Sequence, residues 1–318
     1  MEIILNLLPL TDSERAAFLA AAPNEDHIFC PTDHLTWSAC SASLDKLARA
    51  TVILGCVPPH MLVRNTSLKW LQAWFAGVDP YLAPGIFPQR AMLTSAVGAY
   101  GQAVSEHMFA SLMAVLKRLP QYRDNQRAHL WRDEGKVRTL AGATVLLLGT
   151  GDLGCHFAGL VKAMGARTVG FNRHPEHPAD HVDELHPISE LDQWLPLADV
   201  VAMTLPAAPE TNHIIDARRL ALLKKDAVLL NAGRGNAVDG YALAEALRSG
   251  ALWGAALDVT EPEPLPAGHP LWDCPNLILT PHVAGSEHLD QTLRNIAALS
   301  LDNLKRYLAG EPLKNRVL

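Results

Sequence analysis

The residues from 143 to 173 constrain the fold of this chain more than any other stretch. They open with a short apolar run, Val145–Leu148, which is typical of a strand buried on both faces of a parallel sheet. A glycine-rich turn follows, then apolar side chains at helical spacing, then a second apolar run over 168–171. This order of strand, glycine turn, helix and strand predicts a βαβ unit and therefore a parallel α/β architecture.

The turn has the spacing G-x-G-x-x-G, with its glycines at Gly149, Gly151 and Gly154. In dinucleotide-binding units the first glycine permits the tight turn, the second lets the backbone approach a pyrophosphate, and the third allows close packing of helix and strand. The N–H groups at the helix start, at Asp152 and Leu153, then face the phosphates. The motif by itself is weak evidence, but here strand and helix flank it in register. The sequence therefore predicts a bound dinucleotide.

The end of the second strand indicates which dinucleotide is bound. NAD-binding units usually carry Asp or Glu there, to hold the ribose 2′-hydroxyl. This chain has Asn172 and Arg173 instead, and the guanidinium of an arginine suits a 2′-phosphate. A solvated surface arginine is the alternative interpretation. The sequence favours NADP(H) as the cofactor, with NAD(H) possible.

Composition excludes several classes of protein. A chain of 318 residues, 49% of them hydrophobic, is expected to be globular and to hold two domains. The net charge of -6 disfavours a nucleic-acid partner. The five cysteines are scattered without C-x-x-C spacing, which favours reduced thiols over disulfides or a zinc site. Without a predicted signal peptide or membrane span, we expect a cytoplasmic protein with no metal and no membrane partner.

The pattern of strands and helices predicts two domains with parallel sheets, each Rossmann-like or flavodoxin-like. Residues 1–98 look like a small α/β unit, and residues 312–318 are expected to return to it. We therefore predict that a nucleotide-binding domain, 99–285, is inserted into a discontinuous substrate domain made of 1–98 and 286–318.

Helical spacing is also clear over 99–119, where Pro120 is expected to end the helix. The polar residues 121–138, with a lone Trp131, look like an excursion from the core. A long apolar stripe followed by such an arm predicts a homodimer held by both.

Three charged residues follow predicted strands in the second half of the chain: Arg234, Glu263 and His282. Each alone has a plain explanation, as a surface arginine, an acidic loop and a capped histidine. Together they suit transfer of a hydride to a carbonyl carbon. Histidine can protonate the carbonyl oxygen, a carboxylate beside it favours the charged imidazole, and arginine can hold a substrate carboxylate.

With the glycine turn, these residues resemble the D-isomer-specific 2-hydroxyacid dehydrogenase family over nearly the whole chain. The resemblance implies that Arg234, Glu263 and His282 are the catalytic residues and that Asp258 meets the nicotinamide amide. Further cofactor contacts are predicted just after strand ends, at Leu205, Pro206 and Ala232.

The same resemblance implies a site for the substrate carboxylate, on the backbone N–H groups of Ala76 and Gly77 together with Arg234. This turn also follows a predicted strand. Trp74 and Phe75 precede it where many relatives carry smaller residues, so the size of the substrate stays open. Within the family the chain is most similar to the short NADPH-dependent glyoxylate/hydroxypyruvate reductases, which make D-2-hydroxy acids.

Three alternatives remain at this point. The first is a dehydrogenase acting on a larger 2-oxo acid. The second, a formate dehydrogenase, is disfavoured because those enzymes pair the histidine with glutamine where this chain has Glu263. The third is a non-catalytic, NAD(H)-sensing protein that resembles transcriptional corepressors.

Overall fold

The computed structural model describes residues 1–30, 44–285 and 288–318, so Cys40 and the predicted boundary at 286 lie outside the described residues. The chain divides into two compact units, Met1–Tyr100 with Glu287–Leu318, and Gly101–Ser286. In the described residues each unit has one parallel sheet, of five and seven strands respectively. This is the predicted α/β class, with one unit inserted into the other.

The strands of the first unit are β1 (Ile3–Asn6), β2 (Asp26–Phe29), β3 (Val52–Gly55), β4 (Trp70–Ala73) and β5 (Met92–Thr94). Its helices are α1 (Asp12–Ala21), α2 (Leu44–Arg49), α3 (Pro59–Leu62) and α10 (Asp290–Ala309). The strands of the second unit are β6 (Thr144–Leu148), β7 (Arg167–Asn172), β8 (Glu184–Pro187), β9 (Val200–Met203), β10 (Val228–Asn231), β11 (Gly254–Leu257) and β12 (Leu277–Leu279). Its helices are α4 (Gly101–Leu116), α5 (Leu119–Arg127), α6 (Asp152–Ala163), α7 (Leu191–Trp194), α8 (Ala217–Leu220) and α9 (Gly240–Arg248).

The first sheet has the flavodoxin-like order β2-β1-β3-β4-β5. Its core includes Leu5, Ile53 and Leu71, one from each of the three central strands, all with 0% exposure. Burial on both faces explains why most residues of these strands are apolar. Helix α1 begins with a capping box, in which Thr11 and Glu14 satisfy each other's backbone N–H groups.

Residues from the C-terminal end of the chain complete the first unit. In the buried centre of the unit, Asn303 of α10 donates to Gln72 of β4 at 2.8 Å. The Gln72 side-chain oxygen also accepts from the Thr94 hydroxyl at 2.8 Å. Beyond α10, the N–H of Val317 donates to the Leu93 carbonyl at 2.8 Å. The predicted return of residues 312–318 to this unit is therefore confirmed.

The second sheet has the order β12-β11-β10-β9-β6-β7-β8. From β6 the chain adds β7 and β8 on one side, and then β9 to β12 on the other, so the strand order reverses between β6 and β9. Residues at or next to the ends of its strands pair across the sheet: Leu148 with Phe171 and Met203, Asn231 with Met203 and Leu257, and Leu257 with Leu279. The residues that follow these strands therefore lie together at the carboxyl ends of the strands. Open α/β sheets bind ligands at these ends, near the point where the strand order reverses.

The structure corrects two helix predictions in this unit. Helix α4 ends at Leu116, and Pro120 lies in the first turn of α5 rather than ending the preceding helix. Proline suits that place because the first N–H groups of a helix have no partner within it. The predicted excursion over 121–138 is therefore helical in its first part. The sequence also predicts a helix over 217–225, where the structure has only the single turn α8.

Three strands that the sequence analysis did not predict, β2, β5 and β8, have three or four residues and lie at sheet edges. Within the described residues, no helix has the length and apolar character needed to cross a membrane.

Candidate active site

The glycine turn after β6 is set by close backbone approaches. Gly149 has φ +100°, a conformation that side chains disfavour, and a Cβ there would lie 2.9 Å from the Thr204 hydroxyl. A Cβ on Gly154 would lie 2.1 Å from the Gly149 carbonyl oxygen. Both positions therefore require glycine for packing, as the motif predicts.

Gly151 differs because a Cβ there would meet nothing within 4 Å. It is the N-cap of α6, and no side chain caps this helix. The first N–H groups of this helix have no partner within it, and the helix dipole favours an anion beside them. Nδ1 of His156 lies 3.3 Å from the Asp152 carboxylate.

The turn after β7 is held by Asn172. Its amide donates to the Thr150 hydroxyl at 2.7 Å, and its side-chain oxygen accepts from the N–H of His174 at 3.0 Å. Arg173 is exposed, and among the described residues nothing pairs with its guanidinium. The turn also holds a carboxylate that the sequence argument left out, because Glu176 lies 3.2 Å from His174. A backbone N–H bond and His174 hold the pKa of the Glu176 carboxyl below its usual value.

These features fit a dinucleotide. An uncapped helix N-terminus faces open space at Gly151, and a cation without a described partner follows the neighbouring strand. The first would hold a pyrophosphate, and Arg173 could hold a 2′-phosphate. The residues present therefore suit NADP(H), which when bound supplies a hydride from its reduced nicotinamide.

The loops after β9 and β10 touch each other. A Cβ on Gly233 would lie 2.6 Å from the Leu205 carbonyl oxygen, so the loops that carry Pro206 and Ala232 are in contact. Arg234 follows, half-buried. Its guanidinium donates to the Gly233 carbonyl at 2.9 Å. The backbone is fixed as well, because the Asn231 amide donates to the Arg234 carbonyl at 2.8 Å.

Glu263 and His282 form a hydrogen-bonded pair. Nδ1 of His282 lies 2.9 Å from Oε2 of Glu263, while the other carboxylate oxygen accepts from the N–H of Thr260 at 3.0 Å. Both side chains are substantially exposed. His282 has φ +54°, an uncommon conformation that is often found at functional sites. The carboxylate therefore orients an imidazole whose Nε2 points elsewhere.

Asp258 is buried at the end of β11. Its Oδ1 accepts from the Thr280 hydroxyl at 2.6 Å and from the N–H of Val283 at 2.9 Å, and its Oδ2 accepts from the N–H of Ala284 at 3.0 Å. These three bonds hold the segment that carries His282. The predicted contact of Asp258 with a cofactor therefore has to use acceptor capacity that these three hydrogen bonds leave free.

His107 is a polar residue of this site that the sequence does not predict. It lies on α4, and its Nε2 is 3.1 Å from the Thr280 hydroxyl oxygen and 3.9 Å from Asp258 Oδ1. The helical pattern marks only the apolar positions of this helix, such as Val104 and Met108 on either side of His107. A polar residue between two buried positions was the available signal.

A cavity of about 530 Å³ adjoins the Glu263–His282 pair. Its apolar lining includes Leu265, Trp272 and Leu279. The Glu263–His282 pair therefore lies at the edge of a concave and largely apolar surface, which is typical of small-molecule sites. No group of three or more His, Cys, Asp or Glu side chains suited to a metal ion occurs in the described parts of the chain.

Ala76 and Gly77 belong to the first unit, where they follow β4. Within the described residues their N–H groups have no acceptor. Trp74 is 1% exposed and its carbonyl accepts from the Tyr100 hydroxyl at 2.8 Å, so its ring is part of the core. Phe75 is half-buried.

Comparison with known proteins decides the family. The model of the D-isomer specific 2-hydroxyacid dehydrogenase NAD binding domain matches residues 109–284. The chain belongs to this family. It is therefore an NAD(P)-dependent 2-hydroxyacid dehydrogenase family enzyme, which decides against the non-catalytic sensor considered above.

Individual family members are similar over most of their length. Glyoxylate/hydroxypyruvate reductase B of Pectobacterium carotovorum is 31% identical over 286 residues, 86% of this chain and 88% of that protein. A family member of known structure from Aeromonas salmonicida has a TM-score of 0.84 and 32% identity, covering 100% of this chain and 99% of that one. The NADPH-dependent glyoxylate/hydroxypyruvate reductase of Sinorhizobium meliloti, solved with NADP and sulfate, has a TM-score of 0.80 and 28% identity, covering 100% and 98%.

Within the second unit of this dehydrogenase, the structure brings Glu263 and His282 into contact. It also places Arg234 in a loop that meets theirs, since a Cβ on Gly235 would lie 1.9 Å from the Thr260 carbonyl oxygen. The catalytic roles of these residues, and the role of Ala76 and Gly77 in binding substrate, stay predictions.

Proposed function

We propose that this dehydrogenase uses NADPH to reduce a small 2-oxo acid, of the glyoxylate or hydroxypyruvate type, to the D-2-hydroxy acid. The observation that carries the proposal is the 2.9 Å contact between His282 Nδ1 and Glu263 Oε2. A hydride acceptor of this kind needs a proton donor at its carbonyl oxygen, and a carboxylate-held imidazole provides one.

His282 acts as the general acid. Because Nδ1 is engaged by Glu263, Nε2 is the nitrogen that protonates the carbonyl oxygen. Glu263 favours the charged imidazole and fixes its orientation. Arg234 holds the substrate carboxylate and polarises the carbonyl, which lowers the energy of the developing negative charge. The backbone N–H groups of Ala76 and Gly77 are the further donors proposed for that carboxylate.

The cofactor preference rests on Arg173. Its guanidinium is exposed and has no described partner, so it can bind a 2′-phosphate without breaking an existing ion pair. The similar Sinorhizobium meliloti enzyme is NADPH-dependent by its own name. We propose NADPH as the preferred cofactor and NADH as a weaker one.

The small substrate is supported by relatives rather than by one residue. Curated relatives named glyoxylate/hydroxypyruvate reductase match this chain at about 30% identity. The burial of Trp74 in the core argues against a role for its ring in setting substrate size. A larger 2-oxo acid is the alternative.

We also propose a homodimer formed through α4 and the arm around Trp131. Trp131 is fully exposed, and its neighbour Leu130 is about half exposed. Exposed apolar side chains of this size are typical of interfaces.

A panel of 2-oxo acids of increasing size, assayed with NADPH and with NADH, tests the function directly. We expect the highest kcat/KM with glyoxylate or hydroxypyruvate and NADPH. A higher kcat/KM with branched or aromatic 2-oxo acids would assign the chain to the alternative. Chiral analysis of the product checks that it is the D-isomer.

A further inference from the structure

We propose that His107 and Thr280 are positioning residues, which act through Asp258 to hold the segment that carries His282. This inference rests on the proposed role of His282 as the acid. It adds a hydrogen-bonded relay from α4 to the catalytic segment, through side chains far apart in the sequence.

The direction of each hydrogen bond in the relay follows from its chemistry. The Asp258 carboxylate can only accept, so the Thr280 hydroxyl donates its single proton to Oδ1, at 2.6 Å. The Thr280 oxygen is then an acceptor toward His107, whose Nε2 lies 3.1 Å away. Nε2 of His107 must therefore carry a proton, which fixes the tautomer of the neutral ring.

Asp258 connects this relay to the catalytic segment. It also accepts from the N–H groups of Val283 and Ala284, and its backbone carbonyl accepts from the N–H of His282 at 2.8 Å. The carboxylate offers roughly four acceptor positions, of which the described donors use three. One position on Oδ2 remains for the nicotinamide amide predicted to meet Asp258.

The burial of Asp258 makes the loss of any of these hydrogen bonds costly. Asp258 is 6% exposed, so an acceptor that loses its donor there is costly. His282 lies in the left-handed region at φ +54°, a conformation that persists only where surrounding bonds impose it. The hydrogen bonds to Asp258 on both sides of His282 impose it here. Without the relay, the imidazole would sample orientations in which Nε2 misses the carbonyl oxygen.

Paired substitutions test the relay. Thr280→Val removes the hydroxyl and keeps the shape, whereas Thr280→Ser keeps the hydroxyl. His107→Leu removes the donor, whereas His107→Gln retains an N–H of similar reach. Gln102→Leu, an exposed position on the same helix, is the control.

The first measurement is amide hydrogen exchange of residues 279–285 in the protein without substrate, which does not depend on turnover. We expect faster exchange in Thr280→Val and His107→Leu, and near wild-type exchange in Thr280→Ser, His107→Gln and the control. The second is steady-state kinetics. Misplacement of a reacting group by ~1 Å can lower the reaction rate by about 10²-fold. We therefore expect kcat to fall roughly 10- to 100-fold in Thr280→Val and His107→Leu, and to stay near wild type in Thr280→Ser and His107→Gln.

Unchanged exchange and unchanged kcat in both Thr280→Val and His107→Leu would overturn the relay. Equal losses in the conservative partners would also overturn it, because they would show a purely steric role. The proposed function fails separately, if His282→Ala keeps its turnover while the exchange results stand.

Discussion

Nδ1 of His282 and Oε2 of Glu263 lie 2.9 Å apart, and the other oxygen of Glu263 is held at 3.0 Å by the N–H of Thr260. The carboxylate is thus fixed from one side by the backbone and presents its second oxygen to the imidazole. A histidine that is oriented by a neighbouring carboxylate is a recurrent arrangement in catalytic sites.

His282→Ala is expected to lower kcat for 2-oxo acid reduction by roughly 10²–10⁴-fold, because it removes the proposed general acid. The dissociation constant of NADPH, measured by fluorescence titration, should stay unchanged. His213→Ala is the matched control, since His213 and Glu261 form a second exposed pair at 3.3 Å. Near wild-type turnover in His282→Ala would assign the proton to another group.

Glu263→Gln should move the alkaline limb of the pH–rate profile for reduction to lower pH. The reaction needs the charged imidazole, and the substitution removes the negative charge that stabilises it. Turnover should therefore decline at a lower pH than in the wild type, while the amide still orients the ring. An unchanged pH–rate profile in Glu263→Gln would show that Glu263 only orients the His282 ring.

Arg173→Ala should raise the KM for NADPH by about ten- to a hundredfold, since a charge-assisted contact contributes roughly 1.5–3 kcal/mol. The KM for NADH should hardly change. Arg218→Ala, another exposed arginine of the same unit, serves as the control. Equal losses with both cofactors would indicate a structural role for Arg173.

The homodimer should be stable at micromolar concentration, as measured by sedimentation. Trp131→Ser is expected to weaken it by about 2 kcal/mol or more, roughly a 30-fold increase in dissociation constant, because exposed tryptophans are frequent interface anchors. Trp272→Ser removes a half-exposed tryptophan outside the arm and should leave the dimer intact. A wild-type protein that sediments as a monomer contradicts this prediction.

Asp183 is expected to contribute to stability in a pH-dependent way. The Lys162 ammonium and the backbone N–H of Thr168 lower the pKa of the Asp183 carboxyl. A carboxyl whose pKa is lowered by folding makes its full contribution to stability at pH values above its pKa in the unfolded chain, about 3.9. This contribution is lost as the pH falls through the pKa of the folded state.

Asp183→Asn should therefore cost about 1 kcal/mol at pH 7, a figure reduced by solvent screening of a partly exposed pair. The difference from the wild type should shrink in urea unfolding at acidic pH. Glu245→Gln, at an exposed position, is the control. A difference that persists under acid would mean that the charge of Asp183 is not its source.

The parts of this protein that could be predicted from its sequence are those set by local patterns. The glycine turn at Gly149 is one, because the backbone approaches that require glycine occur within a few residues. The buried strands are another, since both faces of β6 and β10 are covered and their residues are apolar apart from Thr144 and Asn231.

What could not be predicted depends on contacts between distant parts of the chain. His107 meets Thr280 across 173 positions, and nothing in the helix pattern marks that contact. The edge strand β8 lacks a strong apolar run because its residues are only half-buried. The sequence does not place Pro120 on one helix or the other, because proline is compatible with either side of a helix boundary and only tertiary structure selects one.

The hydrogen bond from Asn303 to Gln72, described above, has a consequence for how the chain acquires its structure during synthesis. The sheet of the first unit emerges from the ribosome early, but its hydrogen bonds from Asn303 to Gln72 and from Val317 to the Leu93 carbonyl need residues more than two hundred positions downstream. Residues 101–286 are contiguous and carry their own core. Vectorial synthesis therefore favours an order in which the inserted unit folds first and the N-terminal sheet matures last.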